Sequence, residues 1–171
     1  SGPVSVEEIL AAAGSRPFFL ILDQVEDPRN LGAILRSAAA ARVDGVFLPS
    51  HGSATLTPAV TRSSAGHSER VRLAVAGNLV SLMEQLKEKG IWVVGLEAEA
   101  RTLWTEFDYS LPLALVLGGE GKGMRRLVRE HCDVLVGIPL ASGVDSLNVW
   151  VAAGVALFEV VRQRGGRGPG D

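Results

Sequence analysis

A chain of 171 residues, 47% hydrophobic and 21% charged, is long enough for one domain with a real core, and that composition excludes a disordered segment. No apolar run reaches the roughly 18–20 residues of a membrane span without polar interruption, no basic stretch followed by an apolar one marks a secretion signal, and the lone Cys132 excludes an internal disulfide and suits a reducing cytoplasm. The net charge of −2 argues against a dedicated nucleic-acid binder of the usual basic kind.

In chain order, Ser5 and Glu8 form a capping box for a short helix over 6–13, ended by Gly14. Residues 18–22 read as a buried strand, 30–41 as an Ala-rich helix, and 45–48 as a second strand stopped by Pro49. A short helix over 57–65 carries Pro58 in its first turn. A strand over 71–75 follows, then a helix over 79–89 ended by Gly90 and a strand over 91–95. The remaining expectations are a strand over 113–117, a helix over 125–130, a strand over 134–138 and a long apolar helix over 147–164. Residues 165–171 read as a frayed tail. The domain plan is therefore a linker with one helix over 1–17, a folded domain over 18–164, and the tail.

Short apolar strands alternating with helices predict an α/β fold: a mostly parallel sheet with helices on both faces. Such sheets bind ligands beyond the carboxyl ends of their strands. Three segments sit there. Asn30 follows the first strand, Gly118-Gly119-Glu120 follows the fifth, and the run from Ala141 to Asn148 follows the sixth. These segments are predicted to converge on one sheet edge. The last helix is apolar enough to need cover over most of its surface, which points to a second subunit. Basic residues gather at Arg62, Arg70 and Arg72 and again at Lys122, Arg125, Arg126 and Arg129, where a solvated face is as good a reading as a contact with nucleic acid.

The glycine-rich loop from Gly118 to Gly123 fits neither a P-loop, since Met124 stands where Ser or Thr would follow, nor the dinucleotide spacing. Its glycines suit a close approach of backbone to a flat ligand, or simply a tight turn. Asn30 reads as a ligand contact or a helix cap, and Arg36, six residues on, as a ligand clamp or a surface residue. Glu120 could face a cationic ligand or brace its own loop. Ser146 and Asn148 could orient a substrate or cap the last helix. No GxSxG elbow surrounds Ser146, so a hydrolase triad is unsupported, and His51, His67, His131 and Cys132 lack metal-ligand spacing.

The segments from Asp27 to Arg36, from Leu115 to Met124 and from Ile138 to Glu159 resemble, in this order, the three motifs of the SPOUT-class (SpoU-type) RNA ribose 2'-O-methyltransferases. The runs LGAILRSAAAARVDGV, EGKGMRRLVREHCD and FEVVRQR place the resemblance closest to the branch acting on a guanosine of bacterial large-subunit rRNA. It covers about Phe18 to Arg164. It implies a deep C-terminal trefoil knot, a rare exception to ordinary chain connections. It also implies S-adenosylmethionine as methyl donor, RNA as substrate, no metal, and a homodimer through the last helix. By resemblance, Asn30, Arg36, Glu120, Ser146 and Asn148 are catalytic. Arginine is protonated at neutral pH, so Arg36 suits a phosphate or alkoxide clamp better than a base. Gly118, Ile138 and Leu147 would hold the adenosyl part of the donor, with Leu117, Gly119 and Leu140 lining the same pocket. Enzymes of this type carry a small RNA-binding domain before the catalytic one, so this chain reads as the catalytic domain alone. A tRNA ribose methyltransferase and a non-catalytic RNA-binding or assembly module of the same fold are the alternatives. Trp150 departs from the pattern where a small serine is usual, as do His67-Ser68 and Ser142-Gly143.

Overall fold

A computed structural model describes residues 4–51 and 71–166. The expected helix over 57–65, together with Arg62, His67, Ser68 and Arg70, lies outside the described residues, as does the tail beyond Gly166. The helices are α1 (Val6–Ala12), α2 (Pro28–Ala40), α3 (Leu79–Glu88), α4 (Arg126–Glu130) and α5 (Val149–Gln163). The strands are β1 (Phe18–Asp23), β2 (Gly45–Pro49), β3 (Leu73–Ala76), β4 (Trp92–Leu96), β5 (Thr102–Leu103), β6 (Leu113–Gly118) and β7 (Val134–Gly137).

All seven strands run parallel, in the order β3-β2-β1-β6-β4-β7-β5. The inner strand β1 is buried along its whole length because both of its faces are covered. Its odd and even residues serve different cores. Leu20 and Leu22 join Leu115 and Leu117 of β6 beneath α2 and α5, whose Leu31, Ile34, Leu35, Ala153 and Leu157 complete that layer. Phe19 and Ile21 join Phe47 and Val116 beneath α3, through Leu82, Met83 and Leu86. Phe19 and Phe47 meet edge to face, with centroids 5.4 Å apart. Ile9 of α1 and Val128 of α4 close this second layer.

Most of the predicted elements stand within two residues of their expected ends. The exception is β5, for which no element is predicted: two residues long and partly exposed, it shows no hydrophobic periodicity. Its position governs the topology. β7 is inserted between β4 and β5, so the link from Glu97 to Arg101 spans β7. The backbone of Gly137 passes so close beneath it that a Cβ there would lie 2.7 Å from the Glu97 carbonyl oxygen and 3.1 Å from that of Ala100. This close packing of β7 against the link between β4 and β5 is consistent with the trefoil-knot expectation.

Gly165 and Gly166, the first two residues of the expected tail, are hydrogen-bonded to the end of α5. Gly165 takes a left-handed φ of +76° and its N–H donates to Arg162, while the Gly166 N–H donates to Val161, closing α5. Arg164 beside them donates to the carbonyls of Arg16, Pro17, Tyr109 and Leu111 and lies over the Phe18 ring, tying the end of α5 to the starts of β1 and β6.

Candidate active site

The carboxyl ends of β1 and β6 are locked together. Gly119 N–H donates to the Asp23 carbonyl at 2.9 Å, and Gly123 N–H donates back to Gly119 at 2.8 Å, so the glycine loop folds on itself. The Gln24 side chain donates to the Gly123 carbonyl at 2.8 Å. Gln24 itself adopts a left-handed φ of +61°, uncommon for a residue with a Cβ. A Cβ on Gly119 would fall on the Gln24 carbonyl, and one on Gly118 would fall on the backbone of Gly123 and Met124. Glycine is needed at both positions because backbone occupies the space that a side chain would take.

This loop forms one wall of a cavity of about 560 Å³, within the range of small-molecule sites. Leu117, Gly118 and Gly119 line it from β6, and Ile138, Leu140 and Leu147 line it from the segment after β7. Glu120 and Ser146 stand at its rim, both exposed. Convergence of the second and third motifs, expected from the strand-end rule, is present in the geometry.

The first motif joins them through one contact. Asp27, not Asn30, caps α2, its Oδ1 accepting from the Arg29 N–H at 2.8 Å, and that bond holds the Asp27 carboxyl below its ordinary range. Asn30 is the third residue of the helix and its side chain donates to Glu120 Oε1. The capping alternative for Asn30 is therefore wrong: Pro28 fixes the first turn one residue after Asp27, moving the helix start back. Glu120 likewise takes its bond from Asn30 and not from its own loop's N–H groups. For Asn148 the cap is correct, since Oδ1 accepts from the Trp150 N–H at 3.1 Å. Ser146 makes no cap. Arg36 lies exposed on α2 and does not line the cavity, and neither do Asn30 and Asn148.

Several site residues escaped the sequence reading. Glu97, Ala98 and Glu99 line the cavity from the link after β4, and Asp145 does so from the last loop. Glu97 and Glu99 follow a strand directly, so the rule that flagged Gly118 applied to them too. Asp23 is fully buried, and its carboxylate accepts from Arg125 Nε at 2.9 Å, Nη2 at 2.6 Å and the backbone N–H at 2.8 Å. The second basic cluster is drawn into ion pairs: Lys122 with Glu26, Arg125 with Asp23, Arg126 with Glu130 and Arg129 with Glu97. Among the described residues, no group of three or more His, Cys, Asp and Glu side chains is placed to hold a metal ion. No helix among them is long and apolar enough to cross a membrane.

Fold and cleft together define an α/β domain with an all-parallel sheet and a small-molecule-sized cleft at the carboxyl ends of its strands. The profile of the SpoU rRNA Methylase family matches residues 17–158, and the chain belongs to that family. It is 49% identical over 163 residues to the 23S rRNA (guanosine-2'-O-)-methyltransferase RlmB of Pseudomonas putida, covering 95% of this chain and 66% of that protein. It is 50% identical over 159 residues to the protein of the same name from Shewanella oneidensis, covering 93% and 64%. The chain thus spans a little under two thirds of the length of these relatives. Among solved structures, the SpoU methyltransferase AviRb of Streptomyces viridochromogenes, in complex with AdoMet, superposes with a TM-score of 0.87 at 27% identity, covering 95% of this chain and 65% of that one. An AdoMet-bound rRNA methyltransferase from Sinorhizobium meliloti gives 0.79 at 30% identity, covering 90% and 59%.

Proposed function

We propose that this chain is the catalytic domain of an RNA ribose 2'-O-methyltransferase that takes its methyl group from S-adenosylmethionine, with a guanosine of large-subunit rRNA as the target. The observation that carries the reading is the cleft built by Leu117–Gly119 on one side and Ile138, Leu140 and Leu147 on the other. Gly118 and Gly119 line that wall without side chains, which suits a flat adenosine held by main-chain groups. Its acids outnumber its bases: Glu97, Glu99, Glu120 and Asp145 against Lys122, which suits a cationic ligand.

When bound, the donor supplies an already activated sulfonium methyl. The chain's own task is placement, holding the ribose hydroxyl in line with the methyl–sulfur bond as the oxygen–methyl bond forms and the sulfur–methyl bond breaks. Glu120 stands at the cleft rim where the ribose would enter, and Asn30 holds its carboxylate by a hydrogen bond from outside the cleft lining. Ser146 faces the cleft from the last loop, with Asn148 capping the helix behind it. Arg36, exposed on α2, would reach the RNA from outside the cleft, as a clamp on phosphate or on the developing alkoxide. The hydroxyl proton leaves to an RNA phosphate or to water.

The same reading includes a homodimer through α5. Val149, Ala153, Leu157 and Val160 are buried against α2 and the sheet, whereas Trp150, Val155 and Phe158 are 46%, 37% and 44% exposed. Trp150 therefore leaves the monomer core undisturbed and belongs to the surface a second copy would cover.

Calorimetric titration with S-adenosylmethionine and, separately, ATP tests the reading. Saturable binding of the methyl donor alone is expected, followed by transfer of labelled methyl to the 2'-oxygen of rRNA. Binding of ATP alone overturns the assignment, and methylation of tRNA in place of rRNA overturns the choice of substrate.

A further inference from the structure

A second cavity, of about 390 Å³, opens at the same sheet edge beyond β2 and β3. Pro49 and His51 line it from the end of β2, Asn78 from the turn into α3, and Arg125, Arg126 and Leu127 from the far side. It adjoins the cofactor cleft through the chain itself, since Met124 lines the cleft and Arg125 the groove. β6 and β2 flank β1, so the two openings stand two strand spacings apart, about 10 Å. That is within reach of the next nucleotide of a strand whose target ribose sits at Glu120.

We infer that this groove holds a nucleotide flanking the methylated ribose, its base against Pro49, His51 and Leu127 and its phosphate on Arg125 and Arg126. The inference rests on the methyltransferase reading above. Leu127 is 52% exposed and His51 is exposed, so an apolar face and an imidazole face stand open to a planar ring. Bases of unpaired RNA are held by such stacking. Arg125 is a rigid donor. Asp23 takes its Nε and Nη2, leaving three of its five N–H groups without a hydrogen bond among the described residues. Because the buried carboxylate fixes the guanidinium, little side-chain entropy is lost on meeting a phosphate. Among the described residues Arg126 pairs with Glu130, one turn away and exposed, a weak solvent-screened contact that a phosphate displaces readily.

The test measures fluorescence anisotropy of a labelled single-stranded RNA of about twelve nucleotides, a length within ordinary single-strand site sizes. The full chain is used with S-adenosylmethionine present. The double substitution R126A/L127S is expected to weaken RNA binding about 10-fold. It should lower the slope of log K against log salt by about 0.7, the share of one single-strand phosphate. His51→Ala should weaken binding while His51→Phe, which keeps a ring to stack on, retains it. Calorimetric affinity for the methyl donor should be unchanged in all three variants, which also shows that they fold. If the variants bind RNA with the wild-type affinity and slope, or if the wild-type chain takes up the donor but no RNA, the groove is not a nucleotide subsite. If the donor fails to bind while the RNA effects appear as expected, the methyltransferase reading falls and the groove stands.

Discussion

The guanidinium of Arg125 closes over the carboxylate of Asp23, which is wholly buried at the end of β1, 102 residues earlier. One ion pair thus fastens the start of α4, and with it the glycine loop, to the sheet. Arg125→Ala leaves Asp23 with a single backbone N–H partner, and a buried carboxylate short of partners is costly. The Arg125 side chain is itself 46% exposed, so water makes up part of the loss. The expected destabilisation is about 2–3 kcal/mol, read as a lower urea midpoint at unchanged m-value.

Asn30 and Glu120 come from different motifs and meet only in the fold. Asn30→Ala and Glu120→Ala should each lower kcat by about 10²-fold through loss of ribose placement. Because the two side chains act as one unit, the double variant should be scarcely worse than either single one. Multiplicative effects in a single-turnover methylation assay would show that the residues act independently.

Gly118 and Gly121 lie in one loop but answer to different constraints. A Cβ at Gly118 collides with backbone of Gly123 and Met124, whereas at Gly121 there is open space and only the left-handed φ of +73° resists it. Gly118→Ala is expected to weaken methyl-donor binding at least about 10-fold by displacing the cleft wall. Gly121→Ala should cost about 1 kcal/mol of stability and weaken donor binding far less. Calorimetry with parallel denaturation separates the two.

Cys132 is partly buried with its sulfur close to Gly95, and burial pushes its thiol up to about 12. The reactive thiolate is therefore scarce at pH 8. Modification by a thiol reagent should run at least about 10²-fold slower in the native protein than in urea. Equal rates would show that the site opens locally.

Glu159 on α5 is held below the usual carboxylate range by its bonds to Arg162, with burial opposing and Gln163 assisting. A depressed folded-state pKa contributes stability above the unfolded value, and that contribution disappears as pH falls through the folded value. The melting temperature should drop on acidification through the carboxylate range, and Glu159→Gln should flatten that limb. An unchanged acid limb in the variant would exclude Glu159 as a source of it.

Local pattern carried most of the elements. Phe18 to Leu22 and Leu113 to Leu117 are short apolar runs of the length of strands covered on both faces, and Gly90, with its left-handed φ of +79°, ends the helix before it. Because such strands present their loops at one edge, the meeting of the glycine loop with the segment before Asn148 was legible too. What stayed hidden depends on which strand lies beside which. The strand-end rule marks Glu97 and Glu99 as candidates, but nothing local records that β7 lies between β4 and β5, which decides the cleft they line. Nothing near Asp23 names Arg125 as its partner, and the bond from Asn30 to Glu120 exists only because β1 and β6 pair in register. Propensity and capping act over a few residues and are written in the chain. Strand order and buried ion pairs join residues about a hundred positions apart, where only the packed core decides which groups must share the space left without water.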